Sequence, residues 1–273
     1  MTSSALDGTP ASTVPALTLT AGKRDLVMRA PLANAAGFLG CDAAARASFD
    51  FTRLGAYITP PLSLLPRTAA HGTRVRTFPG GFLLHTGLPN RGLRAAIRQD
   101  RRHWAEMPCP VIVHLILRSA EEASEMARWL EPVEEVCALE LGLGEADAAQ
   151  AASLVAACVG ELPLIAHLPL GAPASVFAAA VAGGAGAVSI GAPRGALPGT
   201  NDAPVRGRIY GPAVLPFAVQ AAAVLNELLD VPILAAGGVY RGEHAAALLS
   251  AGASAVQLDA VLWTTPEWVF RAT

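Results

Sequence analysis

Five side chains able to move protons fall near the ends of apolar runs in this chain: His114, Glu140, Glu145, Asp147 and His167. His85 lies on a long polar excursion between runs. A carboxylate such as Glu145 serves as a general base when partial burial lifts its pKa toward working pH. An imidazole gives or takes a proton near neutrality, which suits His114 and His167 to stabilising a developing charge. Plainer roles compete with these. Glu145 precedes a helical run and would favour that helix's N-terminus, and a lone histidine on an apolar strand is commonly a hydrogen-bonded core residue. His114, His167, Glu145 and Asp147 also suggest a metal group, although ligands spread over separate runs are not a metal motif. Lys23 is the only lysine, so lysine chemistry further along the chain is excluded.

The elements that must position these residues alternate regularly. Apolar runs begin at Leu26, Tyr57, Val111, Cys137, Leu162, Ala187, Val231 and Ala255, eight in all, and helical spacing separates most of them. Such runs are apolar throughout, as parallel strands covered on both faces must be. Eight alternating strand–helix units predict an α/β fold, a single-domain (β/α)8 TIM barrel, with every loop after a strand on one face. A doubly wound open sheet is the alternative, and the first loop lacks its Gly-x-Gly-x-x-Gly fingerprint. Ser119 with Glu122 three residues on predicts a capped helix over 120–130. Two stretches, 66–90 and 191–208, are rich in Pro, Gly and Arg and too long for ordinary connections, which marks them as functional or mobile. Residues 1–22 are expected to be a loose tail and 23–273 the barrel.

Composition narrows the function. Apolar residues make up 52% of 273 and the formal net charge is -2, so there is core enough for a large domain and no basic footprint for nucleic acid or a membrane surface. No apolar run reaches spanning length unbroken. The four cysteines are widely spaced without a paired-ligand motif, as in a reduced, cytoplasmic protein.

The glycines carry the most specific pattern. Gly237-Gly238 closes the seventh run and Ala251-Gly252-Ala253 precedes the eighth; with Asn34-Ala35-Ala36-Gly37, Gly87-Leu88-Pro89-Asn90-Arg91-Gly92 and Gly207-Arg208-Ile209-Tyr210-Gly211-Pro212 they make the chain, from Pro31 to Val261, resemble the dihydroorotate dehydrogenases. The resemblance implies a flavin mononucleotide (FMN) barrel that oxidises dihydroorotate to orotate in pyrimidine biosynthesis, on a small-molecule substrate and as a homodimer. It implies cofactor contacts from Ala35, Ala36, Gly37, His114, His167, Gly211, Gly237 and Gly238, with Arg206 and Arg208 toward the phosphate. By the same matching Leu84, Asn90 and Asp147 fall at substrate positions, and Glu145 falls at the catalytic base, where the family has Cys or Ser. The departures lie in the chemistry. The family's lysines fall on Pro60 and His167, and its orotate-binding asparagines on Leu84, Gly142, Asp147 and Gly191. The glycine of its second phosphate turn falls on Asp259, a carboxylate where an anion is expected. His167 would then take the missing lysine's place at the flavin's pyrimidine edge. A remodelled substrate pocket follows, since a site stripped of its amide donors loses most selectivity for a planar anion. A metal-assisted enzyme and a non-catalytic barrel are the competing outcomes.

Overall fold

The computed structural model describes residues 16–22, 24–199 and 204–264. In chain order the strands are β1 (Leu17–Ala21), β2 (Arg24–Met28), β3 (Leu32–Asn34), β4 (Tyr57–Ile58), β5 (Val75–Phe78), β6 (Gly81–Leu84), β7 (Val111–Ile116), β8 (Val136–Gly142), β9 (Leu164–Pro169), β10 (Ala187–Gly191), β11 (Arg194–Leu197), β12 (Val205–Tyr210), β13 (Ile233–Ala236) and β14 (Ala255–Leu258). The helices are α1 (Ala43–Ser48), α2 (Leu93–Ala105), α3 (Ala120–Leu130), α4 (Ala148–Ala156), α5 (Ala174–Ala182), α6 (Leu215–Leu228), α7 (Gly242–Ser250) and α8 (Val261–Thr264).

Eight strands form one parallel sheet in the order β3-β14-β13-β10-β9-β8-β7-β4. A parallel bridge from Ala33 to Ala56 joins its two edges, so the expected (β/α)8 barrel is present. Strand side chains alternate between the interior and the helix layer. Ile112, Ala138, Ile165, Ala187, Leu234 and Ala255 fill the inner end as one apolar cluster. Two residues further along four of the same strands stand the buried His114, Glu140, Ser189 and Gln257, joined by the partly exposed His167 two beyond Ile165. Hydrophobic burial thus sets the floor beneath a polar layer.

The first strand is a correction. The sequence pattern puts barrel strand one at the run from Leu26 and a tail over residues 1–22. Instead β1 and β2 pair antiparallel, Leu19 opposite Leu26, and the barrel begins at Leu32. Leu17, Leu19, Leu26 and Met28 insert into the apolar cluster at the barrel's inner end, while Thr18 and Thr20 between them stay exposed. One face of the hairpin plugs the barrel and the other meets water. The Arg24 guanidinium pins the plug, donating to the carbonyls of Val133, Val136 (2.8 Å) and Glu131 (3.2 Å). Residues 1–15 lie outside the described residues.

The two long excursions form one structure. β5–β6 from the first and β11–β12 from the second make a four-stranded antiparallel sheet, β11-β12-β6-β5, whose central pair sets Arg208 opposite Leu84. This sheet roofs the barrel mouth. Gly211 (φ 140°) is where the excursions cross, and a Cβ there would fall 2.3 Å from the Gly80 carbonyl.

Candidate functional site

The site is built on a buried carboxylate. Glu140, with no exposed surface, meets His114 Nδ1 at 2.6 Å, the Ser189 hydroxyl at 2.8 Å and the Gln257 amide nitrogen at 2.6 Å. Burial pushes the Glu140 carboxyl up, but the charge of His167 and the donors around it outweigh that and hold it well below the usual range. A carboxylate only accepts, which fixes the rest of the network. Ser189 spends its proton on Glu140 and so accepts from His167 Nδ1–H at 2.9 Å. His114 likewise donates Nδ1–H. Burial, opposed by the Glu140 contact, lowers the His114 pKa from its ordinary value and keeps the ring neutral.

Both rings therefore carry their Nδ1 protons inward and present Nε2 outward. The rings meet edge to face, centroids 5.1 Å apart, and line a cavity of about 100 Å³ at the strand ends. Two glycines make room for them. A Cβ on Gly142 would lie 2.9 Å from His114 Nε2, and one on Gly191 would lie 2.4 Å from His167 Nε2. Gly191→Ala is therefore expected to push His167 off Ser189 and cost about 1–3 kcal/mol by overpacking. Loss of the His167 Nδ1–H signal in proton NMR, beside an unchanged His114 signal, would check it; an undisturbed His167 signal would contradict the packing.

A second cavity, about 280 Å³, joins the first through shared walls at Leu88, Ile116, Arg194 and Arg208, and adds Arg67 and His85. Arg194 and Arg208 stand directly opposite each other on β11 and β12. Like charges so placed repel unless an anion lies between them. Glu145 offsets only part of this, pairing with Arg194 at 3.1 Å from a side chain that is 75% exposed.

Several expected residues are thereby relocated. Glu145 lacks the burial its role as base requires, because Gly144 (φ 66°) turns the chain outward after β8. Asp147 caps α4, accepting from Gln150 N in a capping box, and it lines neither mouth cavity. Asn90 ties the 63–92 loop together: its Oδ1 accepts from Gly92 N at 2.9 Å and its Nδ2 donates to Ser63 Oγ at 2.9 Å. Leu84 and Arg208 do line the larger cavity, while Arg206 is exposed. His114 and His167 are brought together as their strand-end positions implied. Glu140, Ser189 and Gln257 complete the constellation, and of these only Glu140 announced itself, as a lone charge in the apolar run of β8.

Where a flavin would sit, the two ends of the site differ. At the ring end, Ala35 N–H is anchored to the Leu258 carbonyl (2.7 Å), Gly37 takes φ 90°, and two imidazoles face the mouth. These fit a flat, hydrogen-bonding ligand. At the phosphate end, Gly237 (φ 126°) and Gly238 (φ 72°) turn against Val214 and Leu215, and Asp259 is buried at 2% exposure. Burial pushes the Asp259 carboxyl up to about 7, with only backbone N–H groups opposing it. A phosphate does not fit beside it.

His114, Glu140 and His167 could also hold a cation, their ligand atoms lying within 4.8 Å of one another. An ion there would have to displace the protons that now join them. No helix among the described residues is long and apolar enough to cross a membrane.

Comparison with known proteins finds similarity to two groups. A family model described as nitronate monooxygenase matches residues 211–269. The chain is 29% identical over 269 residues to the catalytic subunit of dihydroorotate dehydrogenase B (NAD(+)) of Pelobacter propionicus, covering 91% of this chain and 88% of that protein. The corresponding subunit of Trichlorobacter lovleyi is 29% identical over 273 residues, covering 92% and 89%. That of a Geobacter species is 27% identical over 260 residues, covering 88% and 85%. These relatives bear out the resemblance read from the motifs.

Proposed function

We propose that this chain is a flavin-dependent oxidoreductase related to the dihydroorotate dehydrogenases, acting in the cytoplasm on a small anionic substrate other than dihydroorotate. The observation that carries the reading is the His114–Glu140–His167 relay, which ends in two Nε2 atoms on a cavity whose far wall is arginine. The overall likeness to dihydroorotate dehydrogenase B subunits supports the redox class. Against dihydroorotate itself, Leu84, Gly142 and Gly191 offer no side-chain donors, and Asp147 is spent on a helix cap. Homodimerisation rests on the resemblance alone.

A flavin, when bound, supplies the two-electron acceptor. The chain's own residues supply position and proton. Arg67, Arg194 and Arg208 draw an anion toward the strand ends and hold it there. Neutral His114, its Nδ1 proton fixed on Glu140, offers Nε2 as an acceptor for a proton leaving the substrate. The carboxylate then stabilises the imidazolium that results. His167, held through Ser189, presents its Nε2 to the same cavity from the neighbouring strand. The roof sheet covers the cavity on the side of Leu84, Arg194 and Arg208.

The experiment is the visible absorption spectrum of the purified protein, followed by anaerobic mixing of the flavin-loaded protein with candidate anionic substrates, dihydroorotate included. Bleaching of the flavin by a substrate, reduced about 100-fold or more in His114→Ala, is the expected result. A protein that neither carries nor takes up any flavin would sink the reading. The second reading, a metal-assisted enzyme, draws on the same three buried side chains; stoichiometric zinc in the colourless protein would favour it.

A further inference from the structure

Two unmatched features stand just past the ends of the adjacent strands β13 and β14. Asp259 Oδ2 is buried with no hydrogen-bond partner, while Oδ1 accepts from Ala260 N at 2.6 Å. Beside it, the N–H groups of Gly237 and Gly238 have no acceptor among the described residues. Strand register brings them to the same end of the barrel: Ala236 pairs with Gln257 on adjacent parallel strands, and the Gly237-Gly238 turn and Asp259 follow directly on β13 and β14. An acceptor lacking a donor thus stands beside donors lacking an acceptor.

The group that satisfies both is a hydroxyl, which donates one hydrogen bond and accepts others. A phosphate monoester has acceptors for the two N–H groups, but it sets a second negative charge against a buried carboxylate near which no cation acts. Tyr210 and Tyr240, close enough to feel the Asp259 charge, are pushed up to about 12 above all by burial and stay neutral.

We propose that Asp259 selects against the phosphate of FMN and that the chain takes a flavin ending in a free ribityl hydroxyl, as riboflavin does. The inference rests on the flavin reading above and narrows it to one cofactor class. Within this arrangement Asp259 Oδ2 accepts a hydrogen bond from the terminal hydroxyl, and Gly237 and Gly238 donate to that hydroxyl's oxygen. The sequence motif that resembles a phosphate turn keeps its glycines because the backbone must still turn there.

The test is a pair of equilibrium titrations of the flavin-free full-length protein at pH 8, with riboflavin and with FMN, followed by flavin fluorescence. Wild type is expected to bind riboflavin at least about tenfold more tightly than FMN. Asp259→Asn and Asp259→Gly, which remove the charge in two different ways, are expected to reverse that order. The wild-type ranking stands without either variant should one fail to fold. FMN bound as tightly as riboflavin by wild type would overturn the inference and leave the flavin reading intact. Riboflavin left unbound by wild type would also overturn it, and binding of neither flavin by any form would remove the broader reading with it.

Discussion

Glu140→Gln is expected to lower global stability by about 3 kcal/mol or more, the range found when one partner of a buried ionic network is removed. The substitution keeps the side chain's volume, so no cavity enters the loss. What changes is hydrogen-bond direction. Glu140 accepts from His114, Ser189 and Gln257 with no exposed surface, and an amide must point its NH₂ at one of these donors. Either His114 loses its acceptor or Ser189 and Gln257 do, and a buried donor is left unpaired at about 1–3 kcal/mol. The variant should also show a second, acid-side signature. The Glu140 carboxyl is held low in the folded protein, so its contribution is complete above the unfolded value of about 4.3 and is lost as pH falls through the folded value. The His114 pKa is depressed too, so the unfolded chain binds its proton more readily and stability falls as pH drops below about 6.5. Urea midpoints at neutral pH and under acid would show the variant less stable than wild type when neutral, with the gap closing in acid. Equal midpoints at neutral pH would mean that Glu140 is not the keystone of the polar layer.

Much of this was legible in the residues, and the exceptions have physical causes. Parallel barrel strands are buried on both faces, so Val111, Ala187 and Ala255 open plainly apolar runs that place their strands within a residue or two. The plug was hidden because composition, rich in Ser, Thr and Ala, dominates the first twenty residues. The alternation Leu17-Thr18-Leu19-Thr20 nevertheless records a half-buried strand, apolar toward the barrel and polar toward water. His114 and His167 were readable as a pair because barrel topology puts every strand end on one face. Their dependence on Ser189 and Gln257 was not, since closure of the barrel brings β14 across to β8 and no local pattern records that contact. Glu145 misled because it lies three residues past the end of β8, beyond a glycine at positive φ, where position in sequence no longer tracks the barrel axis. Asp147 and Asn90 show the commoner fate of a polar residue at a loop: their oxygens satisfy backbone N–H groups that the turn would otherwise leave bare. The joining of two excursions into one roof needs the third dimension outright, because β6 and β12 are separated by half of the barrel strands.

Asp259→Asn is expected to stabilise the ligand-free protein, with a pH dependence opposite in sign to that of Glu140. Burial raises the Asp259 carboxyl from 3.8 to about 7, so the folded chain holds this proton more tightly than the unfolded one. Between about pH 4 and pH 7 the unfolded state has released it and the folded state has not; stability therefore falls as pH rises through this window and levels off above about 7. About three pKa units at 1.36 kcal/mol each put the accumulated cost near 4 kcal/mol. Asparagine carries no charge to bury. Its gain over wild type should be small near pH 4, grow up to about pH 7 and stay constant beyond, all readable from urea midpoints at a few pH values. A gain that is the same at every pH would assign the effect to packing. A net loss above pH 7 would mean that the carboxylate has a partner that the buried, unpaired Oδ2 does not reveal. The proposed riboflavin contact would account for a charge kept at this cost two residues beyond Gln257. The stabilisation should therefore come with weaker riboflavin binding, separating the carboxylate's cost to the empty barrel from its value to the filled one.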